Sequence, residues 1–242
     1  MQAHAVPLAP GLGARGGRGR ALDLLSSRLV PALIMSVLVV DKLQLVRQSF
    51  STLTTRNLGS EIMNAADQTL GLGYFALLTF LYVVRLPRLS GARDWLVVPV
   101  TLVGSFGMLV AARLPGASAP RPDLVAGAGV LLLAGLAFSV FTLAFLGRSF
   151  SLLPEARRLV TGGPYRLSRH PLYLGEVAAG LGFLIPTVGG PGAGLVVLSL
   201  AALSLRIRWE ERVLAREFPD RYPAYRRRVP MIVPLPWLRP SR

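Results

Sequence analysis

The sequence predicts an all-α, polytopic membrane protein with about six transmembrane helices, the last two forming a short helical hairpin. Three observations carry this expectation. Apolar residues make up 52% of the 242 residues and mean hydropathy is +0.51. Only 16% are charged, well below the ~25% of an ordinary soluble domain. The apolar residues fall into six runs, and the 27 basic residues, against 12 acidic ones, collect in alternate connections between those runs. Such a composition excludes a disordered chain. With no cysteine in the chain, disulfides, thiolate catalysis and Cys-ligated metals are excluded too. The two histidines, His4 and His170, are too few for a zinc site built on several imidazoles.

Residues 1–27 read as a disordered, basic cytoplasmic arm. They do not read as a cleaved leader, because the apolar stretch that follows ends at Asp41 and Lys42 with no small-residue cleavage site. The N-terminal transmembrane helices occupy residues 28–146. A span needs about 20 apolar residues, with a range of ~17–25. The first candidate covers 29–46, and the polar, Ser/Thr-rich stretch 48–64 reads as an external loop. The second span covers 70–86, the third 95–112 and the fourth 124–146. The fifth opens at Pro171 and fades near Pro186. Gly and Pro in 187–194 make a tight turn, and the sixth span covers 195–207. No strand is expected.

The arginines orient this arrangement. Arg15, Arg18, Arg20 and Arg28 precede the first span, Arg85, Arg88 and Arg93 follow the second, and Arg148, Arg157, Arg158, Arg166 and Arg169 follow the fourth. The tail is the most basic segment of all. The intervening connections are poorer in arginine, so the positive-inside rule places both termini in the cytoplasm. This distribution accounts for the net charge of +15 without nucleic acid, and no aromatic–basic groove pattern points to a nucleic-acid role.

Polar chemistry concentrates in residues 147–242. Fifteen of the 27 basic residues and six of the 12 acidic ones follow Gly147. Proline suits the first helical turn and pushes its predecessor out of helix, so Pro171 opens a helix with Arg169 and His170 just before it. A helix N-terminus has unpaired N–H groups and a positive dipole end. With Arg169 and His170 it suits a carboxylate or phosphate at the membrane face. Glu176 lies one turn inside the span, where an ionisable group faces a partner or a polar cavity. Arg206 and Glu210 are four apart and share a helical face, beside Glu211. These features equally suit lipid anchoring, helix capping and a surface ion pair.

Taken together and in order, the clusters resemble the isoprenylcysteine carboxyl methyltransferase family and its phospholipid methyltransferase relatives. The resembling residues are Gly163-Pro164-Tyr165-Arg166, then Arg169-His170-Pro171-x-Tyr173-x-Gly175, then Glu210-Glu211, Phe218, Tyr222, Tyr225 and Arg228-Val229-Pro230, within residues 147–234. The resemblance implies a membrane-embedded enzyme that uses S-adenosylmethionine, with 147–242 as the catalytic region. It implies that Tyr165, Arg169, His170, Pro171, Tyr173, Gly175, Glu210, Glu211, Tyr225 and Arg228 hold the cofactor. Arg206 and Glu210 stand as catalytic, and Glu176 and Arg206 as facing the substrate. Glu210 against Glu211, and Arg206 against Arg208, stay open. The cofactor's methionine end carries a carboxylate, suited to Arg169 and His170, and an ammonium, suited to Glu210 or Glu211. A carboxylate acceptor needs only an orienting cation such as Arg206, whereas an amine must first lose a proton. The Pro-rich tail cannot form one long helix and is expected to fold over the cofactor as a lid.

The expected partners are a lipophilic acceptor from the bilayer and membrane lipids. O-methylation, of a prenylcysteine-like or other lipid carboxylate, is favoured over N-methylation. The bias of arginine over the single lysine, Lys42, with abundant Ala, Gly and Pro, fits a GC-rich bacterial gene and hence a bacterial cytoplasmic membrane. Two other readings compete. A membrane sterol- or steroid-type NADPH reductase shares an Arg-His-Pro-like turn but is expected to carry an Arg-Asp pair and a Lys-Tyr near the end, which are absent here. A non-enzymatic membrane scaffold predicts neither cofactor.

Overall fold

The computed structural model describes residues 28–52, 58–92, 94–111, 113–114 and 122–232. Six long helices follow in order: α1 (Val30–Ser51), α2 (Leu58–Val84), α3 (Val97–Ala111), α4 (Pro122–Leu146), α5 (Pro171–Thr187) and α6 (Pro191–Glu217). A short α7 (Arg221–Arg228) ends the described chain. The basic arm expected at 1–27 lies outside the described residues. The helices Leu58–Val84, Leu124–Ser149 and Pro191–Glu217 are long and apolar enough to cross a membrane, while Val97–Ala111 and Pro171–Ile185 are shorter apolar helices. Asp41, Lys42 and Arg47 interrupt the apolar run of α1.

Three expectations need correction. The stretch 48–64 is not a loop throughout, since α1 runs to Ser51 and α2 begins at Leu58. The sixth helix is not short: α6 has 27 residues, about 40 Å at 1.5 Å per residue. Nothing in Leu205–Glu217 breaks a helix, so α6 carries Arg206, Glu210 and Glu211 past the end of its apolar run. A two-residue antiparallel ladder also forms, pairing Ser90 with Ala156 and Gly91 with Glu155. These strands, β1 (Ser90–Gly91) and β2 (Glu155–Ala156), are too short to leave a periodic signal.

The helices pack chiefly as three pairs, α4 with α5, α1 with α2 and α3 with α6. Small residues set the first contact. A Cβ added at Gly135 would stand 2.7 Å from the Gly175 carbonyl, and one at Gly182 would stand 2.6 Å from that of Ala128. Such close backbone approach is how helices associate where lipid competes with every apolar contact. Between α3 and α6, Ser199 Oγ donates to the Val103 carbonyl at 3.1 Å. The α1–α2 pair is tied by polar bonds from Asn64 to Ser49 at 3.1 Å and from Lys42 to Gln68 at 2.8 Å.

The core lies between α1, α2, α4 and the start of α5, with Met35, Phe75, Leu78, Tyr82, Leu143, Phe150 and Leu172 buried together. Outward faces remain apolar: Leu33, Val37, Phe80, Val98, Val130, Phe141 and Val197 are all exposed. Exposed apolar surface this extensive requires a nonpolar surrounding. The segment after α4 is fastened beneath the bundle by bonds to the end of α2. Leu86 N–H donates to the Arg148 carbonyl, Arg148 Nε to Val84, and the buried Arg157 to Leu86 and Glu155. This fastening places residues 149–170 against α6.

Candidate active site

His170 is the residue before α5 and adopts φ −128°, ψ 56°, outside the helical region that proline at the next position disfavours. Its neighbours are held by the chain's tail. Arg169 N–H donates to the Pro230 carbonyl at 2.9 Å and His170 N–H to that of Met231 at 3.0 Å. Gly163, at φ +56°, supports the short turn Gly163–Arg166 that delivers Tyr165. Tyr225 O–H donates to the Tyr165 carbonyl at 2.5 Å. The described part of the expected lid, α7 and residues 229–232, thus packs along residues 165–170.

The two adjacent glutamates of α6 diverge in role. Glu211 is a hub. It accepts from Arg169 Nε at 3.0 Å, from His170 Nε2 at 2.9 Å and from the Tyr222 hydroxyl. A carboxylate only accepts, so His170 Nε2 carries a proton. Arg169 spends its remaining bonds on the Arg226 and Val229 carbonyls, at 2.9 and 3.2 Å. Glu210 instead lines a cleft, together with Tyr165, Arg169, His170, Tyr173, Tyr225 and Arg206. It accepts from the Tyr173 hydroxyl and lies 3.7 Å from His170 Nδ1. The space in the cleft, about 770 Å³, includes a part open to solvent.

The tyrosines of the tail stay protonated. Burial, opposed by Arg169 and assisted by Glu211, pushes Tyr225 up to about 12. Burial and then the hydrogen bond to Glu211 raise Tyr222 further, and burial raises Tyr165. The Tyr165 hydroxyl is buried without a hydrogen-bond partner among the described residues and lines the cleft.

A second cavity, of about 950 Å³ including a part open to solvent, lies among α1 to α6. Its walls are mainly apolar, and Glu176, Tyr74 and Arg206 line it. Tyr74 O–H donates to Glu176 Oε1 at 3.2 Å. Arg206 bonds Ser105 Oγ at 3.0 Å and the Leu152 carbonyl at 2.8 Å, and its guanidinium lies 5.1 Å from the centre of the Tyr173 ring. Two atoms here are buried without partners among the described residues, Glu176 Oε2 and Arg206 Nε. One is an acceptor and the other a donor. Arg206 and Phe150 line both cavities, so the polar cleft and the apolar chamber adjoin at Arg206.

Most of the residues singled out in the sequence come together here. Of the alternatives left open, Arg206 is buried and Arg208 exposed, and Glu210 faces the cleft while Glu211 stands behind it. Pro171 starts α5 and is fully buried. Gly175 sits at the α4–α5 contact, where an added Cβ would meet Gly135 O at 2.8 Å. Arg228 is exposed at the end of α7. None of these three lines the cleft. Sequence reasoning missed Ser149, Glu155 and Arg157 in the cleft wall, having read the arginines here as topology signals. It also missed Tyr74, whose partner is 102 residues away.

The family described as phospholipid methyltransferase has a model that matches residues 124–221. With the apolar helices, that match supports an integral membrane methyltransferase. The matched segment runs from α4 to the start of α7 and holds every residue of the cleft described above except Tyr222 and Tyr225. The chain is similar to the cobalt-zinc-cadmium resistance protein CzcN of Cupriavidus metallidurans, with 37% identity over 103 residues, 38% of this chain and 45% of that protein. It is also similar to the nickel-cobalt-cadmium resistance protein NccN of Alcaligenes xylosoxydans xylosoxydans, with 34% identity over 98 residues, 38% of this chain and 46% of that protein. The chain therefore spans less than half the length of these curated relatives. No solved structure matches it.

Proposed function

We propose that the protein is an S-adenosylmethionine-dependent methyltransferase of the cytoplasmic membrane, acting on a lipophilic acceptor that enters from the bilayer. Six helices span the membrane in this proposal, with both termini and the polar cleft on the cytoplasmic side. One observation carries it: a cleft lined by charged and tyrosine side chains and an apolar chamber adjoin at a single buried arginine, Arg206.

The residues of the cleft fit the proposed cofactor. Glu210 supplies a carboxylate for the ammonium of its methionine end. The first N–H groups of α5, at Leu172 and Tyr173, lack intrahelical partners and lie in residues that line the cleft. Together with His170 they suit its carboxylate. The unpartnered Tyr165 hydroxyl offers one further hydrogen bond. When bound, S-adenosylmethionine would supply a methyl group already activated on a sulfonium. The protein's work is then positioning and exclusion of water.

Arg206 Nε and Glu176 Oε2 define the acceptor end. An oxygen acceptor takes a hydrogen bond from Arg206 Nε–H. If it is a neutral acid or hydroxyl, it gives its proton to Glu176 Oε2. An already ionised carboxylate needs only the arginine. This donor–acceptor pair favours O-methylation of a lipid carboxylate, prenylcysteine-like or other, over N-methylation. The relatives' names concern metal resistance. No metal role is carried over from them, and among the described residues no three His, Cys, Asp or Glu side chains gather as ligands.

The test is ligand-dependent thermal stability of the purified protein in lipid nanodiscs. S-adenosylhomocysteine should raise the unfolding midpoint and NADPH should not. Stabilisation by NADPH alone would replace this proposal with the reductase reading. Stabilisation by neither would leave the scaffold.

A further inference from the structure

The chamber between the helices is apolar along its walls and polar at both ends. One end carries Glu176, Tyr74 and Arg206. At the other, Lys42 of α1 and Asp67 of α2 line the same cavity. Asp67 and Tyr74 are seven residues apart, two turns on one face of α2, which is about 10 Å of helix rise. Glu176 and Phe183 of α5, also lining the chamber, are again seven residues apart and give the same depth.

Ionisable side chains on membrane helices need a partner or a function. Lys42 and Asp67 are only partly satisfied. Lys42 Nζ has three donors, and among the described residues it makes one hydrogen bond, to Gln68 Oε1 at 2.8 Å. Asp67 Oδ2 accepts from Gln68 Nε2 at 3.2 Å. The two charges are thus linked through Gln68, leaving donors on Lys42 and acceptor capacity on Asp67. Gly71 keeps the lysine in place: a Cβ there would stand 3.1 Å from Lys42 Cε. A bulkier residue would displace the lysine stem.

We propose that the chamber takes an elongated amphiphile bearing a second, neutral oxygen group, of the hydroxyl kind, about 10 Å from the group held by Arg206 and Glu176. The proposal rests on reading this cavity as the acceptor chamber. The paired charges at its far end sum to zero, so an ion there would meet one like charge. A hydroxyl accepts from Lys42 and donates to Asp67 at once. The spacing corresponds to roughly nine bonds of an extended chain, at about 3.5 Å per three bonds.

The experiment uses the full chain in lipid nanodiscs, with n-alkanoic acids and their ω-hydroxy counterparts from six to sixteen carbons as probes. Apparent affinities are read from titrated unfolding midpoints. The ω-hydroxyl should tighten binding about five- to tenfold, the worth of one hydrogen bond, with the maximum near 9-hydroxynonanoate. The advantage should vanish in Lys42→Met and in Gly71→Val, while S-adenosylhomocysteine binds both variants as it binds the wild type. The proposal is overturned if the hydroxyl gives no advantage at any length in the wild type, if the advantage survives in both variants, or if no probe binds. A preserved ω-hydroxyl preference without S-adenosylhomocysteine binding would uphold the two-ended chamber and refute the methyltransferase reading.

Discussion

Replacing each of the two neighbouring glutamates of α6 should produce opposite phenotypes. Glu211 is the shared acceptor of Arg169, His170 and Tyr222, and its side chain is 11% exposed against 8% for Arg169 and 4% for His170. Removing one partner of a buried charged pair costs about 3–5 kcal/mol. Arg169 keeps two carbonyl partners, so Glu211→Ala should fall at the low end, about 3 kcal/mol. Glu210 is 22% exposed and its hydrogen-bonded partner is the Tyr173 hydroxyl. Glu210→Ala should therefore lower stability by about 1 kcal/mol. It also removes the carboxylate proposed for the cofactor's ammonium. A hydrogen bond to a charged group is worth about 1.5–3 kcal/mol, so S-adenosylhomocysteine affinity should drop roughly 10- to 150-fold. Isothermal titration in nanodiscs and thermal midpoints measured on the same samples separate the two effects. The division of roles is refuted if Glu210→Ala binds S-adenosylhomocysteine within about threefold of wild type, or if Glu210→Ala is the less stable of the two variants.

Other outcomes follow from the same geometry. Arg206→Ala should reduce turnover far more than S-adenosylhomocysteine affinity, because Arg206 stands at the chamber side of the cleft; equal losses would remove its acceptor role. His170→Ala should weaken S-adenosylhomocysteine binding about tenfold or more, as loss of a charge-assisted contact does, and unchanged affinity would remove His170 from the site. Gly135→Val should drive α4 and α5 apart and lower the unfolding midpoint, with about 1–3 kcal/mol lost to overpacking; a wild-type midpoint would contradict the close backbone contact. The raised Tyr225 group contributes stability that is complete below its ordinary value near 10 and is lost as pH rises towards about 12. Tyr225→Phe should accordingly show a shallower fall in stability between pH 10 and 12, and an unchanged slope would count against the tyrosine's buried setting.

Helix positions were legible because hydropathy alone marks long apolar runs, and Pro171 opens a helix as proline favours, whereas Pro191, read as part of a turn, also opens one. Helix ends were not, because α2 and α6 extend through polar residues whose partners lie on other segments, as with Asn64 on Ser49 and Glu211 on Arg169. The cluster around His170 was legible as a set of residue types in order. Its division of labour was not: which of two adjacent glutamates faces a cleft depends on the roll of α6 against α5, and no local pattern fixes that roll. The chamber was half visible. Glu176 drew notice as an ionisable residue inside a span, but Tyr74, Lys42 and Asp67 join it only through the packing of α1 and α2.

Transfer of a methyl group from S-adenosylmethionine to a lipophilic acceptor is the activity proposed for this protein. Methyl-labelled S-adenosylmethionine should be incubated with membranes containing the wild-type chain or Glu210→Ala, and the organic extract counted and identified by mass spectrometry. Label in a lipid-soluble product with the wild type, sharply reduced with Glu210→Ala, is the predicted result. A lipid extract with no more label from wild-type membranes than from membranes lacking the protein would contradict it.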